Sequence, residues 1–126
     1  MLVSLAWVSE AQVNFSHTAS NPTGVVVNTA SDTLTYTLTT GYNQVTIQPF
    51  ITRNSGTLAG TVVLYYSVYR TGTTNWVPSG DTLTLSNGAV SAPTAWTKNI
   101  SAKRWRIITT GSGTVNMTTA AALQTD

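Results

Sequence analysis

The sequence predicts an all-β fold, a single antiparallel β-sandwich of Ig-like or jelly-roll-like type with about eight strands spanning residues 1–126. Three observations carry this. Apolar and polar residues alternate with a period of two along much of the chain, as half-buried strands require. Turn-forming Gly, Pro, Asn and Asp recur about every 8–12 residues. Outside the first ten residues, no segment has a helical period.

The elements follow in chain order. In "MLVSLAWVSE", Leu2, Leu5 and Val8 fit a helix as well as Val3, Leu5 and Trp7 fit a strand. This segment is read as an N-terminal arm or first strand. It has no basic residue ahead of its apolar part, so it is not read as a signal peptide. In "DTLTYTLTT", Leu34, Tyr36 and Leu38 share one face and the threonines the other. "GYNQVTIQPFITR" continues the alternation through Val45 and Ile47 after a turn at Gly41, and Pro49 marks a bend or an edge. "TVVLYYSVYR" is apolar on both faces and is read as a central strand covered on both sides. "TGTTN" turns the chain and "WVP" starts the return. "DTLTLSNG" repeats the Leu–Thr alternation and ends in an Asn87-Gly88 turn. "RWRIITT", "GSG" and "TVNMTTAAAL" read as a closing hairpin.

Composition narrows the function. Of 126 residues, six are Lys or Arg and four Asp or Glu, so 8% are charged, against about 25% in ordinary soluble domains. Thr and Ser supply the polarity, making up more than a quarter of the chain. Such a surface suits a protein covered by neighbours or working outside the cell. The net charge of +2 is too small to attract nucleic acid or anionic lipid over a distance. No segment is long enough to cross a bilayer as an apolar helix, so a membrane partner is not expected. With no cysteine, disulfides, thiolate metal sites and thiol nucleophiles are excluded.

Catalysis needs positioned acids, bases or nucleophiles. Asp32 and Asp81 each precede a "TL" strand signal, where Asp commonly caps turn amides. His17 is the sole histidine, and no G-x-S-x-G elbow is present. The ligand inventory for a metal is nearly empty. No catalytic residue, cofactor or metal is therefore expected, and the chain is not read as an enzyme. The sequons at Asn14, Asn99 and Asn116 match the number that chance gives in so Ser/Thr-rich a chain.

Two groups are left as candidate contacts. In "KRWR", Arg104 and Arg106 share one strand face while Lys103 and Trp105 share the other. The arginines have three readings: a solvated or edge-strand face, a base-stacking surface with Trp, or partners for a neighbouring subunit's carboxylates. Tyr65 and Tyr69 share a strand face, either as a sugar-stacking platform or as covered packing. Trp76 and Trp105 read as core anchors, and Trp96 as the exposed tryptophan.

From Tyr36 to Val115, the order "YTLTTGYNQVTIQPFITRNSGTLAGTVVLYYSV", "TGTTNWV", "DTLTL", "KRWRIITTGSGTV" resembles a diffuse group of small β-sandwich virion proteins of tailed bacteriophages. The resemblance implies a non-enzymatic structural protein, a multi-copy capsid decoration or auxiliary protein that stabilises the shell. The alternative it implies is a tail or fibre component binding carbohydrate or a receptor. Implied partners are the major capsid protein or tail proteins and copies of the chain itself, within a virion assembled in the bacterial cytoplasm; nucleic acid is not among them. Where that pattern has an S-x-D-G turn, this chain has "SVYRTGTTNW", with Arg70 and no Asp, so cation binding is not implied. Leu2, Leu5, Trp7, Tyr65, Tyr69, Trp96, Arg104 and Arg106 are the candidate partner contacts.

Overall fold

Residues that alternate in sequence do so because each strand has one face in a shared core. The computed structural model describes residues 12–14, 23–38, 44–69, 71–72, 75–85 and 94–125. They form β1 (Gln12–Asn14), β2 (Thr23–Val27), β3 (Ser31–Thr37), β4 (Val45–Gly56), β5 (Gly60–Ser67), β6 (Val77–Leu85), β7 (Trp96–Lys98), β8 (Arg104–Gly111) and β9 (Val115–Thr125). One sheet has the order β1-β9-β4-β7, with β2 following β1 along the same edge of β9; the other has the order β3-β8-β5-β6. Every ladder is antiparallel. This is the predicted β-sandwich, with nine strands among the described residues.

The core lies between the sheets. Leu34 on β3, Val62 and Leu64 on β5, and Trp105 and Ile107 on β8 meet Ile47 and Ile51 on β4 and Met117 and Leu123 on β9. Fully burying a large apolar side chain contributes roughly 1.5–3 kcal/mol. β4 lies between β9 and β7, and among the described residues β7 pairs with it only at Val45–Ile47, so Pro49 needs no ladder donor on that side. No helix among the described residues is long and apolar enough to cross a membrane. The expected arm at residues 1–10, with Leu2, Leu5 and Trp7, lies outside the described residues, as do His17 and the turns at Gly41 and Asn87-Gly88.

The closing hairpin is not one. β8 pairs with β3 and β5, whereas β9 pairs with β1, β2 and β4 in the other sheet. Both edges of β8 are occupied, so the chain turns at Ser112–Thr114 and crosses the core instead. Trp105 and Ile107 then face Met117 and Ala121 from the opposite sheet. Neighbouring corners are laced to this crossing. Asn28 donates its N–H to the Val115 carbonyl at 2.7 Å, its side-chain oxygen accepts the Val115 N–H at 3.2 Å, and the Thr57 N–H reaches the Thr114 carbonyl at 2.9 Å. The reading of β5–β6 as a strand and its return holds, since these two pair directly.

The aspartates also differ from the turn-cap reading. Asp32 points into the sandwich, where its Oδ2 accepts the Thr119 hydroxyl at 2.9 Å and so ties β3 to β9 across the core. Gly24 makes room for it, because a Cβ there would overlap the carboxylate. Asp81 lies within β6 and forms an ion pair with Lys98 of β7 at 2.8 Å, joining the edges of the two sheets. Thr109, opposite Asp32 in the β3–β8 ladder, has a buried hydroxyl oxygen with no hydrogen-bond partner. The two threonines should therefore respond oppositely to the same isosteric change. Thr119→Val leaves the Asp32 carboxylate one donor short and should cost about 1–3 kcal/mol, whereas Thr109→Val removes an unsatisfied hydroxyl and should be neutral or stabilising by up to about 1 kcal/mol. Urea denaturation of both variants, followed by circular dichroism, reads the difference.

Candidate partner-contact surface

The outer face of the β3-β8-β5-β6 sheet carries a stack of rings and guanidinium groups. The ladders place Tyr65 beside Arg106 and Ser67 beside Arg104, with Tyr65 also opposite Pro78. Trp76, just before β6, comes to lie against this row. The guanidinium carbons of Arg104 and Arg106 lie 4.6 and 4.4 Å from the Trp76 ring centroid, and Arg106 is also 5.1 Å from that of Tyr65. Each such cation–π contact is worth about 0.5–2 kcal/mol, depending on desolvation.

The two arginines do different work. Arg104 is 8% exposed and is spent on the chain itself. It donates to the carbonyls of Tyr69, Gly72 and Thr71 at 2.8, 2.9 and 3.2 Å, and reaches the Ser67 hydroxyl at 3.5 Å. It therefore clamps the turn that leads from β5 towards β6. Arg106 has a buried Nε with no acceptor, and among the described residues its guanidinium donates no hydrogen bond. Burial pulls its ionisation below the ordinary arginine range, with Tyr65 opposing that shift and the neighbouring Arg104 charge adding to it.

These placements correct several readings. β8 lies between β3 and β5, so Arg104 and Arg106 are not on an edge strand, and Arg104 is not solvated. Trp105 is a core anchor, but Trp76 is not: it is half-buried on the outer face, covered by arginine side chains. Trp96 is not exposed, because β7 turns it inward against the core. Tyr65 and Tyr69 differ in burial and in place on the chain. Tyr65 is half-buried against Arg106, whereas Tyr69 lies beyond the end of β5 and is 58% exposed. The outer face of β5 is covered by this stack rather than by a second sheet.

The other sheet has an outer face that the sequence reading missed. Val25 and Val27 of β2 and Phe50 of β4 are exposed at 57%, 46% and 44%. Between them lie Thr52, Thr118 and Ala120, and the described outward residues of β2, β4, β7 and β9 carry no charge. Asn54 bridges the strands there, donating to Asn116 at 3.0 Å and Thr118 at 2.8 Å. The signal was present: Phe50 is the apolar residue out of phase with Ile47 and Ile51, and "VVV" puts valine on both faces of β2.

Among the described residues no group of three or more His, Cys, Asp or Glu could hold a metal ion. A shallow depression on the uncharged face is bordered by Thr46, Gln48, Ala122, Leu123 and Gln124, hydroxyl and amide groups around a small residue.

No protein-family model matches the chain, and no curated protein matches it in sequence. Solved structures do share its fold. The K1 cleaved adhesin domain of Lys-gingipain from Porphyromonas gingivalis W83 superposes with a TM-score of 0.58 at 6% identity, over 94% of this chain and 99% of that one. The SPBc2 prophage-derived protein YomS does so with a TM-score of 0.52 at 8% identity, over 97% and 100% of the two chains. VP2 of the infectious bursal disease virus subviral particle gives 0.55 at 10% identity, over 92% of this chain and 33% of VP2. At such identities the likeness is one of fold.

Proposed function

We propose that the chain is a non-enzymatic structural protein of a bacteriophage virion, present in many copies as a capsid decoration or auxiliary protein. The observation that carries this reading is the uncharged outer face of the β1-β9-β4-β7 sheet, with Val25, Val27 and Phe50 exposed on it. Interface cores are depleted of charge, and contiguous exposed apolar surface marks contact sites. A face of Thr, Ala, Asn and Gln around three apolar residues loses little hydration when a neighbour covers it. The major capsid protein and copies of the chain itself are the proposed partners. The fold shared with a prophage-derived protein and a viral capsid protein supports the setting.

The acids support a non-catalytic role, since Asp32 and Asp81 each bind a structural partner, Thr119 and Lys98. The alternative, a tail or fibre component binding carbohydrate, is left with Tyr69 as the exposed ring on its platform, because Arg106 lies over Tyr65. Quantitative mass spectrometry of purified virions that encode the chain separates these outcomes. A shell protein should be found at on the order of hundreds of copies, a tail or fibre component at about six to a few tens, following the symmetry of each assembly. Absence from the particle contradicts the virion reading.

A further inference from the structure

Arg106 is a cation held in place with no carboxylate paired to it among the described residues. Its guanidinium lies against Tyr65 of β5 and Trp76 just before β6, contacts that fix the plane of a side chain that is otherwise among the most mobile. Its Nε is buried with no acceptor. The two described carboxylates do not serve it: Asp32 lies on the inner face of its sheet, and Asp81 is paired with Lys98. Arg104 differs, because its donors are taken by the carbonyls of the 69–72 turn. The neighbourhood is apolar as well as cationic, with Pro78 exposed opposite Tyr65 and Tyr69 exposed past the end of β5. Fixed Arg, Trp and Tyr within an apolar rim form the composition in which binding energy concentrates at protein interfaces.

We propose that the Tyr65–Arg106–Trp76 stack is a socket for an Asp or Glu side chain of a neighbouring protein, whose adjoining residues cover Tyr69 and Pro78. The carboxylate lies in the guanidinium plane and accepts two of its N–H groups, a fork that a lysine cannot supply. A nucleic-acid strand fits less well. Base stacking needs open ring faces, and Trp76 and Tyr65 are already engaged by guanidinium groups. This assignment takes its partner class from the virion reading, but the socket itself is testable on the isolated protein.

The test is an NMR titration of the 15N-labelled chain, following the arginine Nε–Hε resonances as a hexaglutamate peptide is added at neutral pH. The Arg106 resonance should shift saturably and the Arg104 resonance should stay in place. Arg106→Gln should abolish binding, and Arg106→Lys, which keeps the charge, should weaken it about tenfold. Circular dichroism confirms that each variant is folded. An unmoved Arg106 resonance at millimolar peptide overturns the proposal. So does an equal shift with inorganic phosphate, which would mean a simple anion site, or a larger one with hexathymidylate, which would mean nucleic acid. In particles, Arg106→Gln should lower the copies incorporated about tenfold. If the wild-type chain is absent from particles, the virion reading fails, and the titration alone decides the socket.

Discussion

Trp105→Ala should lower the stability of the fold by about 3–5 kcal/mol, the range for deleting a buried aromatic. Trp105 is fully buried on β8, with its ring 5.9 Å from that of Tyr66. β8 is paired on both edges, by β3 and β5, so the backbone cannot collapse into the space left behind. Domains of this size have total stabilities of about 5–15 kcal/mol, so the variant sits near the threshold of folding. At about 4 °C per kcal/mol, the midpoint of thermal unfolding should fall by about 12–20 °C. Trp105→Phe is the informative companion. The indole Nε1 is buried with no acceptor, so phenylalanine removes an unsatisfied donor while keeping most of the ring. Its cost should be about 1–2 kcal/mol. Equal losses for both variants, measured by thermal melts, would mean that the ring's packing is not what matters at this position.

Gly60→Ala should cost about 4 kcal/mol, combining the strain of a glycine-only backbone conformation with overpacking. Gly60 opens β5 with φ of 135°, and a Cβ there would overlap the Thr110 carbonyl oxygen of β8. That carbonyl belongs to a strand held in the middle of the sheet and cannot move aside. Gly113→Ala is the control. Its φ of 75° is also left-handed, but nothing lies within 4 Å of the added methyl group, so only the backbone term of about 1–2 kcal/mol should appear. Urea denaturation should rank the two variants widely apart. Equal costs would show that the contact between β5 and β8 at this point is not tight.

Much of the fold was legible in residues whose partners are local or whose pattern is pure. Leu34 and Leu38 alternate with threonines and are buried, and Trp105 and Ile107 occupy the inner face that "RWRI" assigns them. The β5–β6 return was legible because the turn and both strands are adjacent in sequence. What alternation cannot say is which sheet a strand joins. A Gly-Ser-Gly connection serves a hairpin or a crossing equally well, and only the occupied edges of β8 decide for the crossing. Asp32 looked like a turn cap because its partner, Thr119, lies far along the chain.

The candidate surface was legible in its residues but not in its arrangement. Arg104, Arg106 and Tyr65 were singled out from sequence, and the structure places them on one face. Trp76 was assigned to the core because large aromatics are usually buried there. Arginine side chains cover it instead, as long amphipathic stems do on an outer sheet face. The valines of β2 escaped notice because a short run of one residue type shows no alternation, and only pairing with β9 gives them a direction.

The proposed place in a virion is open to a direct check, a cryo-electron microscopy map of particles from a phage whose genome carries this sequence. The map should show the sandwich in many symmetry-related copies, with Val25, Val27 and Phe50 covered by a neighbouring subunit. A particle without the chain, or one in which that uncharged face is bare to solvent in every copy, would contradict it.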